Sequence, residues 1–430
     1  MKPLKLSGRN VTVLGAGRTG RAVARFLAEQ KAHVFVSDQA LLSPQIKEEF
    51  ASLGIAYEES VHSERVLEAE SIVLSPGVPT PLPILLKAKA HGIPIMGELE
   101  LAYRFCKSEK IIAVTGTNGK TTTTHLISQI LLKNGFDVVT AGNIGTPLIT
   151  QLEKIHKNTI VVLEVSSFQL ESISTFRPHI SVFLNFSQNH LDRHGSLENY
   201  FKAKCHIFKN QMPEDFATVH RDLKPLPIQA KIVFFDATDC PRKLQSELSL
   251  PHRENLAAAI AACQLIKRDI SLDAVDVSKI LALPHHLEFV AEINGMKFYN
   301  DSEATNTAAT MAAINSFMES LVLILGGRDK GQSFEELAHF IKAKNIEHVF
   351  LMGEAKENLA QALRKVHYKR FSEINHLREG VERALSSNAR VCLLSPACAS
   401  FDMFPNLEAR GEAFKQAVMV AKRARKDISH

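Results

Sequence analysis

The feature that most constrains the fold of this chain is a glycine-rich turn between an apolar strand and an amphipathic helix. The turn, residues 115–122, reads Thr-Gly-Thr-Asn-Gly-Lys-Thr-Thr. Residues 111–114 are all apolar, as in a buried parallel strand, and apolar residues recur at helical spacing between Leu126 and Leu131. Glycines in such a turn let backbone N–H groups approach phosphate oxygens at a helix N-terminus. The pattern predicts an α/β protein with a phosphate-binding loop.

The residue types in this turn also predict contacts to a triphosphate and a metal ion. Gly116 and Gly119 permit close backbone approach, Lys120 can reach the β- and γ-phosphates, and the Thr121 hydroxyl can bind Mg²⁺. Val114 stands where the general phosphate-loop pattern has a glycine. The alternative, an ordinary strand–helix turn that contains a lysine, does not explain why glycine, lysine, threonine and the flanking elements all agree.

A second glycine-rich turn, Gly-Ala-Gly-Arg-Thr-Gly, lies at residues 15–20. It follows a predicted strand at 11–14 and precedes a predicted helix, and the next strand, 33–37, ends at Asp38. This is the G-x-G-x-x-G fingerprint, which taken alone indicates NAD or FAD. The same turn can hold any nucleotide diphosphate, and the acidic side chain can bind a ribose or a uracil edge.

Two further predicted strands lead into polar residues. The aliphatic segment 159–165 ends in Glu164, and the strand at 180–185 leads to His190. Ligands of open parallel sheets bind beyond the carboxyl ends of the strands, so both side chains are expected near the phosphate loop. Glu164 suits Mg²⁺ as a hard oxygen ligand, or it is a capping or solvated carboxylate. His190 is a metal ligand, a base or a structural histidine, and the spacing of the nearby histidines excludes a zinc site.

The last third of the chain predicts another α/β layer. Asn294-Gly295, between apolar-patterned segments 288–293 and 296–300, is a two-residue hairpin signal. Residues 301–306 are typical of the capped start of a helix. Small polar loops follow further buried strands, which places candidate binding residues at strand ends here too.

Length and composition limit the remaining possibilities. A chain of 430 residues is too long for one core, and we expect domains at 1–98, 99–283 and 284–430. The net charge of +5 is too small to require a nucleic-acid partner. No apolar run approaches the ~20 residues of a membrane span. The six cysteines form no C-x-x-C pair, so we expect reduced, buried thiols in a cytoplasmic protein.

Taken together, the motifs resemble those of the Mur ligases of peptidoglycan synthesis, over essentially the whole chain. The matching segments are GAGRTG at 15–20, SPG at 75–77, TGTNGKTT at 115–122, GNIG at 142–145, EVSSFQLE at 164–171, NHLDRHG at 189–195, LPHHLE at 283–288, NDSEATN at 300–306, LGGRDKG at 325–331 and LSPACASFD at 394–402. The phosphate loop alone fits every Mur ligase and folylpolyglutamate synthase. The first and last motifs favour the branch that adds D-glutamate to UDP-N-acetylmuramoyl-L-alanine.

The resemblance implies a three-domain α/β fold. A Rossmann-like N-terminal domain would bind the UDP-linked substrate, a central P-loop ATPase-like domain would bind ATP and Mg²⁺, and a Rossmann-like C-terminal domain would bind D-glutamate. ATP would phosphorylate the substrate carboxylate, and the amine would displace phosphate from the acyl phosphate. A monomer that binds neither nucleic acid nor membrane is expected.

The resemblance also assigns site residues through the motifs. UDP-substrate contacts would come from Arg18, Thr19, Asp38, Ser75 and Asn143. ATP contacts would come from Gly116, Thr117, Asn118, Gly119, Lys120, Thr121, Thr122, Asn255, His286 and Asp301. The D-glutamate pocket would contain Thr305, Lys330, Ser400 and Phe401. The Mg²⁺ site would contain Thr121, Glu164, His190 and Lys204, and the catalytic residues would be Lys120, His190 and Lys204.

Lys204 falls where this family carries a carbamylated lysine. Carbamylation would make it a carboxylate-like Mg²⁺ ligand, whereas an ammonium would repel the metal. Four positions depart from the family pattern: Glu303 replaces a lysine, His286 an arginine near ATP, Ala258 an asparagine and Leu407 an aromatic residue. Nucleotide and amino-acid affinities can therefore differ from those of relatives.

Three alternatives stay open on the sequence. Another Mur-type ligase would use a different amino acid. An NAD-dependent oxidoreductase would use residues 15–20 but leave 116–122 without a role. A nucleotide-binding regulatory protein would hydrolyse ATP without ligation, which the presence of Lys120, Glu164 and His190 disfavours.

Overall fold

Three β-sheets organise the chain, and helices connect most of the strands. The computed structural model describes residues 4–79, 82–143, 145–223, 226–246, 248–273, 275–277 and 283–426. All strand pairs in the first two sheets are parallel, and the third sheet is parallel except for one edge hairpin. The predicted α/β fold class is confirmed.

The first sheet carries the N-terminal glycine turn. Its strands are β1 Asn10–Leu14, β2 His33–Ser37, β3 Ala56–Glu58, β4 Ser71–Leu74 and β5 Ile95–Gly97. Their order in the sheet is β3-β2-β1-β4-β5. The direction of winding therefore reverses between β1 and β4, and a crevice at such a switch point is where doubly wound sheets bind ligands.

The second sheet carries the phosphate loop. Its strands are β6 Lys110–Thr115, β7 Val138–Gly142, β8 Ile160–Glu164, β9 Ile180–Phe183, β10 Phe216–His220 and β11 Lys231–Phe235. Their order is β11-β10-β9-β6-β8-β7. Because β6 lies between β9 and β8, the ends of all three strands meet at the turn that follows β6.

The third sheet has a single antiparallel edge pair within the described residues. Its strands are β12 Glu288–Ile293, β13 Met296–Asn300, β14 Leu321–Gly326, β15 Ile346–Met352, β16 Phe371–Glu373 and β17 Val391–Leu394, in the order β12-β13-β17-β14-β15-β16. The predicted Asn294-Gly295 hairpin is confirmed: both residues have positive φ, and β12 pairs with β13.

Helices occupy most of the connections between strands. The α-helices are Arg18–Glu29, Pro44–Ser52, Pro83–Ala90, Glu98–Phe105, Lys120–Lys133, Ser167–Leu170, Leu191–His194, Leu197–Cys205, Arg242–Gln245, Leu250–Ile266, Thr307–Ile314, Glu335–Ala343, Lys356–Lys365, Leu377–Ala384 and Leu407–Lys426. Short 3₁₀ helices are Glu64–Glu68, Leu148–Lys154, His206–Phe208 and Ala237–Asp239. None of the helices in the described part of the chain combines the length and apolar character needed to cross a bilayer.

Burial on both faces explains why the central strands are apolar without alternation. In β14, Leu321, Leu323 and Leu325 belong to one core cluster, whereas Val322 and Ile324 belong to the cluster on the opposite face. Successive strand residues point to opposite faces, so a strand with helices on both sides needs apolar residues at every position.

The chain forms two compact units. Among the described residues, the first unit takes its members from Met1–Asn185, Phe201–Asp239 and Asn255–Val275, and the second from Phe186–Tyr200, Cys240–Glu254 and Asp276–His430. The first two sheets therefore belong to the first unit and the third sheet to the second. The domain boundaries expected after residues 98 and 283 stay predictions.

The six cysteines are free thiols, as expected. Five of them are buried and Cys106 is half-buried. Their burial fits the role of small apolar residues in the core.

Candidate functional site

The backbone of the phosphate loop is fixed by hydrogen bonds with Asn185. The N–H groups of Thr117 and Asn118 donate to the carbonyl and the side-chain oxygen of Asn185, at 3.1 and 2.9 Å, and the Asn185 amide donates to the Asn118 carbonyl at 3.1 Å. Gly119 has φ of +79° and precedes the helix Lys120–Lys133. A Cβ at Gly119 would overlap the side-chain oxygen of Asn255, so this predicted ATP residue packs directly on the loop.

Two lysines bind backbone carbonyls of this loop. Lys120 Nζ donates to the Thr117 carbonyl at 2.9 Å, and Lys204 Nζ donates to the Gly116 carbonyl at 2.6 Å. Lys204 is fully buried, and burial lowers its pKa well below the usual range. The positive charge of Lys120 lowers that pKa further, while the Glu164 carboxylate opposes the shift. Burial and the neighbouring lysine therefore both disfavour the charged form of Lys204 beside the loop.

The Glu164 carboxylate is fixed by two hydrogen bonds. Thr121 Oγ1 donates to Oε2 at 2.8 Å, and the Asn143 side chain donates to Oε1 at 2.8 Å. Glu164 ends β8 and is buried, which places an anionic oxygen pair beside the first turn of the helix that follows the phosphate loop. Asn143, predicted to contact the UDP-linked sugar, therefore also orients the predicted metal ligand.

The oxygen donors around Glu164 fit a magnesium ion. A carboxylate and a hydroxyl are the ligand types that Mg²⁺ takes from proteins, together with phosphate oxygens. No cluster of three or more histidine, cysteine or acidic side chains suited to a metal occurs among the described residues. Glu164 and Thr121 would supply two of the Mg²⁺ ligands, and the others would come from a bound phosphate, water or a modified Lys204.

His190 belongs to the second unit, whereas Thr121, Glu164 and Lys204 belong to the first. Its backbone has φ of +54°, and its N–H donates to the Asn189 side chain at 2.9 Å. Its ring lies 6.0 Å, centroid to centroid, from the ring of Tyr200. The positive φ is a sparsely populated conformation, and it places His190 directly before the short helix Leu191–His194.

The N-terminal glycine turn is closed by two predicted substrate residues. The Asp38 carboxylate accepts from the N–H of Ala16, and Ser75 Oγ donates to the Gly15 carbonyl at 3.1 Å. A Cβ at Gly20 would overlap the Gly15 carbonyl, so the helix packs tightly on the strand here. Arg18 is exposed and Thr19 is half-buried at the start of the helix. The structure thus brings Asp38, Ser75 and this turn together.

Asp301, predicted to contact the ATP ribose, lies buried after β13. Its carboxylate accepts from Ser395 Oγ at 2.7 Å and from the Leu287 N–H at 3.2 Å. Burial raises the pKa of Asp301 to about 7, although these hydrogen bonds oppose the shift. His286, the other ATP residue assigned in this segment, is half-buried.

The predicted D-glutamate residues lie on three loops at the carboxyl ends of the third sheet. Lys330 Nζ donates to Thr305 Oγ1 at 3.3 Å, which joins two of the loops. Desolvation of the ammonium lowers the pKa of Lys330 to about 8, opposed by the negative charges of Asp192 and Glu303. On the third loop Ser400 is buried and Phe401 is exposed. Glu303, which replaces a lysine of the family pattern, therefore favours the charged form of Lys330.

Sequence reasoning missed Arg410, which is 1% exposed. Its guanidinium donates to Ser302 Oγ, to the Ser302 carbonyl and to the Cys398 carbonyl at 3.0, 2.8 and 3.0 Å. Ser302 Oγ in turn donates to the carbonyl of Leu407, one of the departing positions, at 2.8 Å. Ala258, another such position, is buried in its helix. No local signal in the sequence marks Arg410, because its partner Ser302 lies 108 residues away.

The loops at the strand ends define the class of protein to which this chain belongs. A phosphate-binding loop on one parallel sheet and a glycine-rich turn on another are the marks of α/β nucleotide-binding proteins. Family models match three parts of the chain: "Mur ligase MurD-like, N-terminal domain" at residues 9–97, "Mur ligase middle domain" at 114–233 and "Mur ligase, glutamate ligase domain" at 285–398. The chain belongs to the Mur ligase family.

Relatives with the same name match nearly the whole chain. The UDP-N-acetylmuramoylalanine--D-glutamate ligase of Caldicellulosiruptor bescii is 41% identical, with 96% of this chain and 98% of the relative covered. The proteins of that name from Caldicellulosiruptor saccharolyticus and Geotalea uraniireducens are each 38% identical, with 96% of this chain covered and 99% and 98% of the relatives.

Solved structures agree in fold. MurF from Thermotoga maritima in complex with ADP has a TM-score of 0.61 at 15% identity, covering 90% of this chain and 95% of that chain. The UDP-N-acetylmuramate-alanine ligase MurC from the same organism has a TM-score of 0.58 at 18% identity, covering 96% and 100%. At these identities the likeness shows the three-domain Mur ligase architecture alone.

Proposed function

We propose that this protein is an ATP-dependent ligase that joins D-glutamate to UDP-N-acetylmuramoyl-L-alanine through an acyl phosphate. The observation that supports this most is full-length similarity, at 38–41% identity, to three relatives named for that reaction. The phosphate loop supplies the matching chemistry, because it places Lys120 and the Thr121–Glu164 pair at one helix start.

The first chemical step transfers the γ-phosphoryl group of ATP to the alanyl carboxylate. Loop N–H groups and Lys120 would bind the phosphates, which requires Lys120 Nζ to leave the Thr117 carbonyl. Thr121 and Glu164 would hold Mg²⁺, which neutralises charge that develops on the transferred group. ADP departs, and the carboxyl carbon of the acyl phosphate is a good electrophile, whereas that of a free carboxylate is a poor one.

The second step forms the amide bond. The amine of D-glutamate attacks the acyl carbon, phosphate leaves, and the amine loses a proton. We place the amino acid at Thr305, Lys330, Ser400 and Phe401, where the Lys330 ammonium suits the side-chain carboxylate. His190, with Lys120 and Lys204, would complete the catalytic set.

We further propose that Lys204 is carbamylated. Burial and the nearby Lys120 both favour the neutral amine, and a neutral amine is the form that reacts with carbon dioxide. The resulting carbamate carries a negative charge, which the Lys120 ammonium would stabilise. Its oxygens would give Mg²⁺ another ligand.

The remaining assignments follow from the same proposal. We assign 1–98 to the UDP-linked substrate, 99–283 to ATP and 284–430 to D-glutamate. The UDP-linked substrate would contact Arg18, Thr19, Asp38, Ser75 and Asn143. The adenosine part of ATP would contact Asn255, His286 and Asp301, and the phosphate loop would bind its phosphates. We expect a cytoplasmic monomer.

An amino-acid panel tests the proposal. Purified protein is supplied with UDP-N-acetylmuramoyl-L-alanine, ATP, Mg²⁺ and one amino acid at a time, and the product is identified by mass spectrometry. We expect a product with D-glutamate and ADP formation that depends on both substrates. Product with L-lysine or diaminopimelate, and none with D-glutamate, would establish a Mur ligase of another specificity instead.

A further inference from the structure

One buried side chain, Gln332, joins all three loops of the proposed D-glutamate pocket. It follows Lys330 by two residues on the loop after β14. Its Nε2 donates to the Ala397 carbonyl at 2.5 Å, and its Oε1 accepts from the Thr307 N–H at 3.3 Å. Gln332 is 7% exposed, so neither bond competes with bulk water.

Each bond of Gln332 acts on a different pocket residue. Thr307 begins the helix Thr307–Ile314, two residues after Thr305, and its N–H is one of the groups that a helix leaves without an internal partner. Asn306 caps the same helix through the N–H of Ala309, at 2.9 Å. Gln332 and Asn306 therefore share the capping of one helix and fix the segment that presents Thr305.

The other bond holds a strained part of the last loop. Ala397 has φ of +60°, a conformation that costs an alanine roughly 1–2 kcal/mol. Such a residue keeps this conformation only where its surroundings enforce it. The hydrogen bond from Gln332 and one from the Gly326 N–H to the adjacent Pro396 carbonyl, at 2.8 Å, do so. Ser400 and Phe401 follow three and four residues later.

We propose that Gln332 is a positioning residue for D-glutamate: it sets the spacing between Lys330, Thr305 and Ser400 and does not itself contact the amino acid. This inference depends on the proposed ligase function, because it presupposes that these loops bind the incoming amino acid. It concerns recognition of one substrate, so the nucleotide and nucleotide-sugar sites should not respond to a change at this residue.

Gln332→Met tests the inference, since methionine matches the shape of glutamine without its hydrogen bonds. We expect KM for D-glutamate to rise roughly tenfold, while KM for ATP and for the nucleotide sugar stays within about twofold and kcat falls less than KM rises. Gln211→Met is the matched control. Gln211 is also buried, at 2% exposed, and its Nε2 donates to the Pro178 and Phe216 carbonyls in the first unit.

Gln332→Glu provides a second readout that a merely structural role would not produce. A protonated glutamic acid can donate to the Ala397 carbonyl, but a carboxylate there would repel it. We expect the ratio of KM for D-glutamate in this variant to KM in the wild type to rise with pH. A pH-independent ratio of the two KM values would contradict the inference.

The outcomes separate the inference from the function on which it depends. If the wild type fails to ligate D-glutamate, the proposed function is wrong. If the wild type ligates D-glutamate and both Gln332 variants keep its KM, or if Gln211→Met raises KM for D-glutamate equally, Gln332 has no positioning role. If Gln332→Met does not fold, the pH profile of Gln332→Glu decides.

Discussion

At the scale of single residues, Lys204 is the least favourable charge in the phosphate-loop region. A buried ammonium with a second lysine nearby loses solvation and meets repulsion, and both effects disfavour the charged form although Nζ donates to the Gly116 carbonyl. A carbamate at the same place would turn the repulsion from Lys120 into attraction. Electrostatics therefore favours the modification independently of the family resemblance.

Substitution of Lys204 tests this directly. We expect Lys204→Ala to lose most of the activity, roughly a hundredfold or more, and added short carboxylates such as acetate to restore part of it. Lys202→Ala is the control, because Lys202 is exposed on the same helix. Labelling the wild type with ¹³C-bicarbonate should give a carbamate carbon signal that Lys204→Ala lacks. Full activity in Lys204→Ala, or no such signal in the wild type, would end the proposal.

Gly119 permits a second prediction at this scale. In Gly119→Ala the new Cβ meets both an unfavourable φ and the side chain of Asn255, so we expect the Kd for ATP to rise at least tenfold. Gly135→Ala is the control on the same segment: φ is +82°, yet nothing lies within 4 Å of its Cβ. Both variants should lose roughly 1–2 kcal/mol of stability from backbone strain. Equal ATP affinity in the two, measured by calorimetry, would show that the Asn255 contact is unimportant.

At the scale of elements, the sequence predicts best where burial alone decides. The apolar runs located β1, β2, β6 and β8 to within about a residue, because strands buried on both faces need apolar residues throughout. Helix ends are harder to locate from local signals, as in the helix Leu250–Ile266. Pro251, its second residue, reads as a helix breaker, but a proline fits the first turn, where its missing N–H costs nothing.

The parts that the sequence did not reveal depend on distant contacts. Asn185 reaches the phosphate loop from 67 residues away, Gln332 reaches Ala397 from 65, and Arg410 reaches Ser302 from 108. No local pattern distinguishes these side chains from ordinary polar residues. The motifs identified residues at strand ends, whereas the residues that hold those loops became visible only in the fold.

Glu98 links two elements of the first unit and makes its stability depend on pH. It begins the helix after β5, and its Oε1 accepts from the Ile149 N–H at 2.9 Å, in the 3₁₀ helix after β7. Its other oxygen has no hydrogen-bond partner among the described residues. Burial, the largest cause, raises the pKa of Glu98 to about 7. The fold therefore favours the protonated form.

This raised pKa gives a prediction with a definite sign. The stabilisation that Glu98 provides is complete below its unfolded pKa of about 4.5 and is lost as the pH rises through about 7. The full shift corresponds to roughly 3 kcal/mol. We expect the free energy of unfolding of Glu98→Gln, measured with urea, to fall less than that of the wild type between about pH 5 and 8.

Glu100 provides a control of opposite sign two residues later. Burial alone would raise its pKa, but hydrogen bonds from Thr175, Ser174 and Arg104 outweigh it and lower the pKa. Its stabilisation is therefore lost on acidification, and Glu100→Gln should cost stability at neutral pH. The pKa of Asp301 is also raised, so Asp301 makes the free energy of unfolding fall with pH, as Glu98 does. This contribution is the same in the wild type and in both variants. If Glu98→Gln and the wild type lose stability in parallel, Glu98 is not the titrating group.

At the scale of the whole molecule, the three sheets divide the proposed reaction among them. The glycine turn after β1 would bind the nucleotide, the loop after β6 would bind the triphosphate, and the loops after β13, β14 and β17 would bind the amino acid. Activation of the carboxylate would use the first two sets of loops, with His286 and Asp301 contacting ATP, and would not need a bound amino acid. The amino acid is needed only afterwards, for the attack on the acyl phosphate.

Trapping with hydroxylamine tests this division. With UDP-N-acetylmuramoyl-L-alanine, ATP and Mg²⁺ but no D-glutamate, hydroxylamine should attack the acyl carbon, displace phosphate and give a hydroxamate detectable by mass spectrometry. Lys330→Ala should form this hydroxamate at near wild-type rates yet lose amide formation at least roughly a hundredfold, because the variant lacks the cation for the D-glutamate carboxylate. Lys120→Ala should form neither product, since it lacks the phosphate contact. A hydroxamate that appears only when D-glutamate is present would mean that activation requires the bound amino acid, and the division would be wrong.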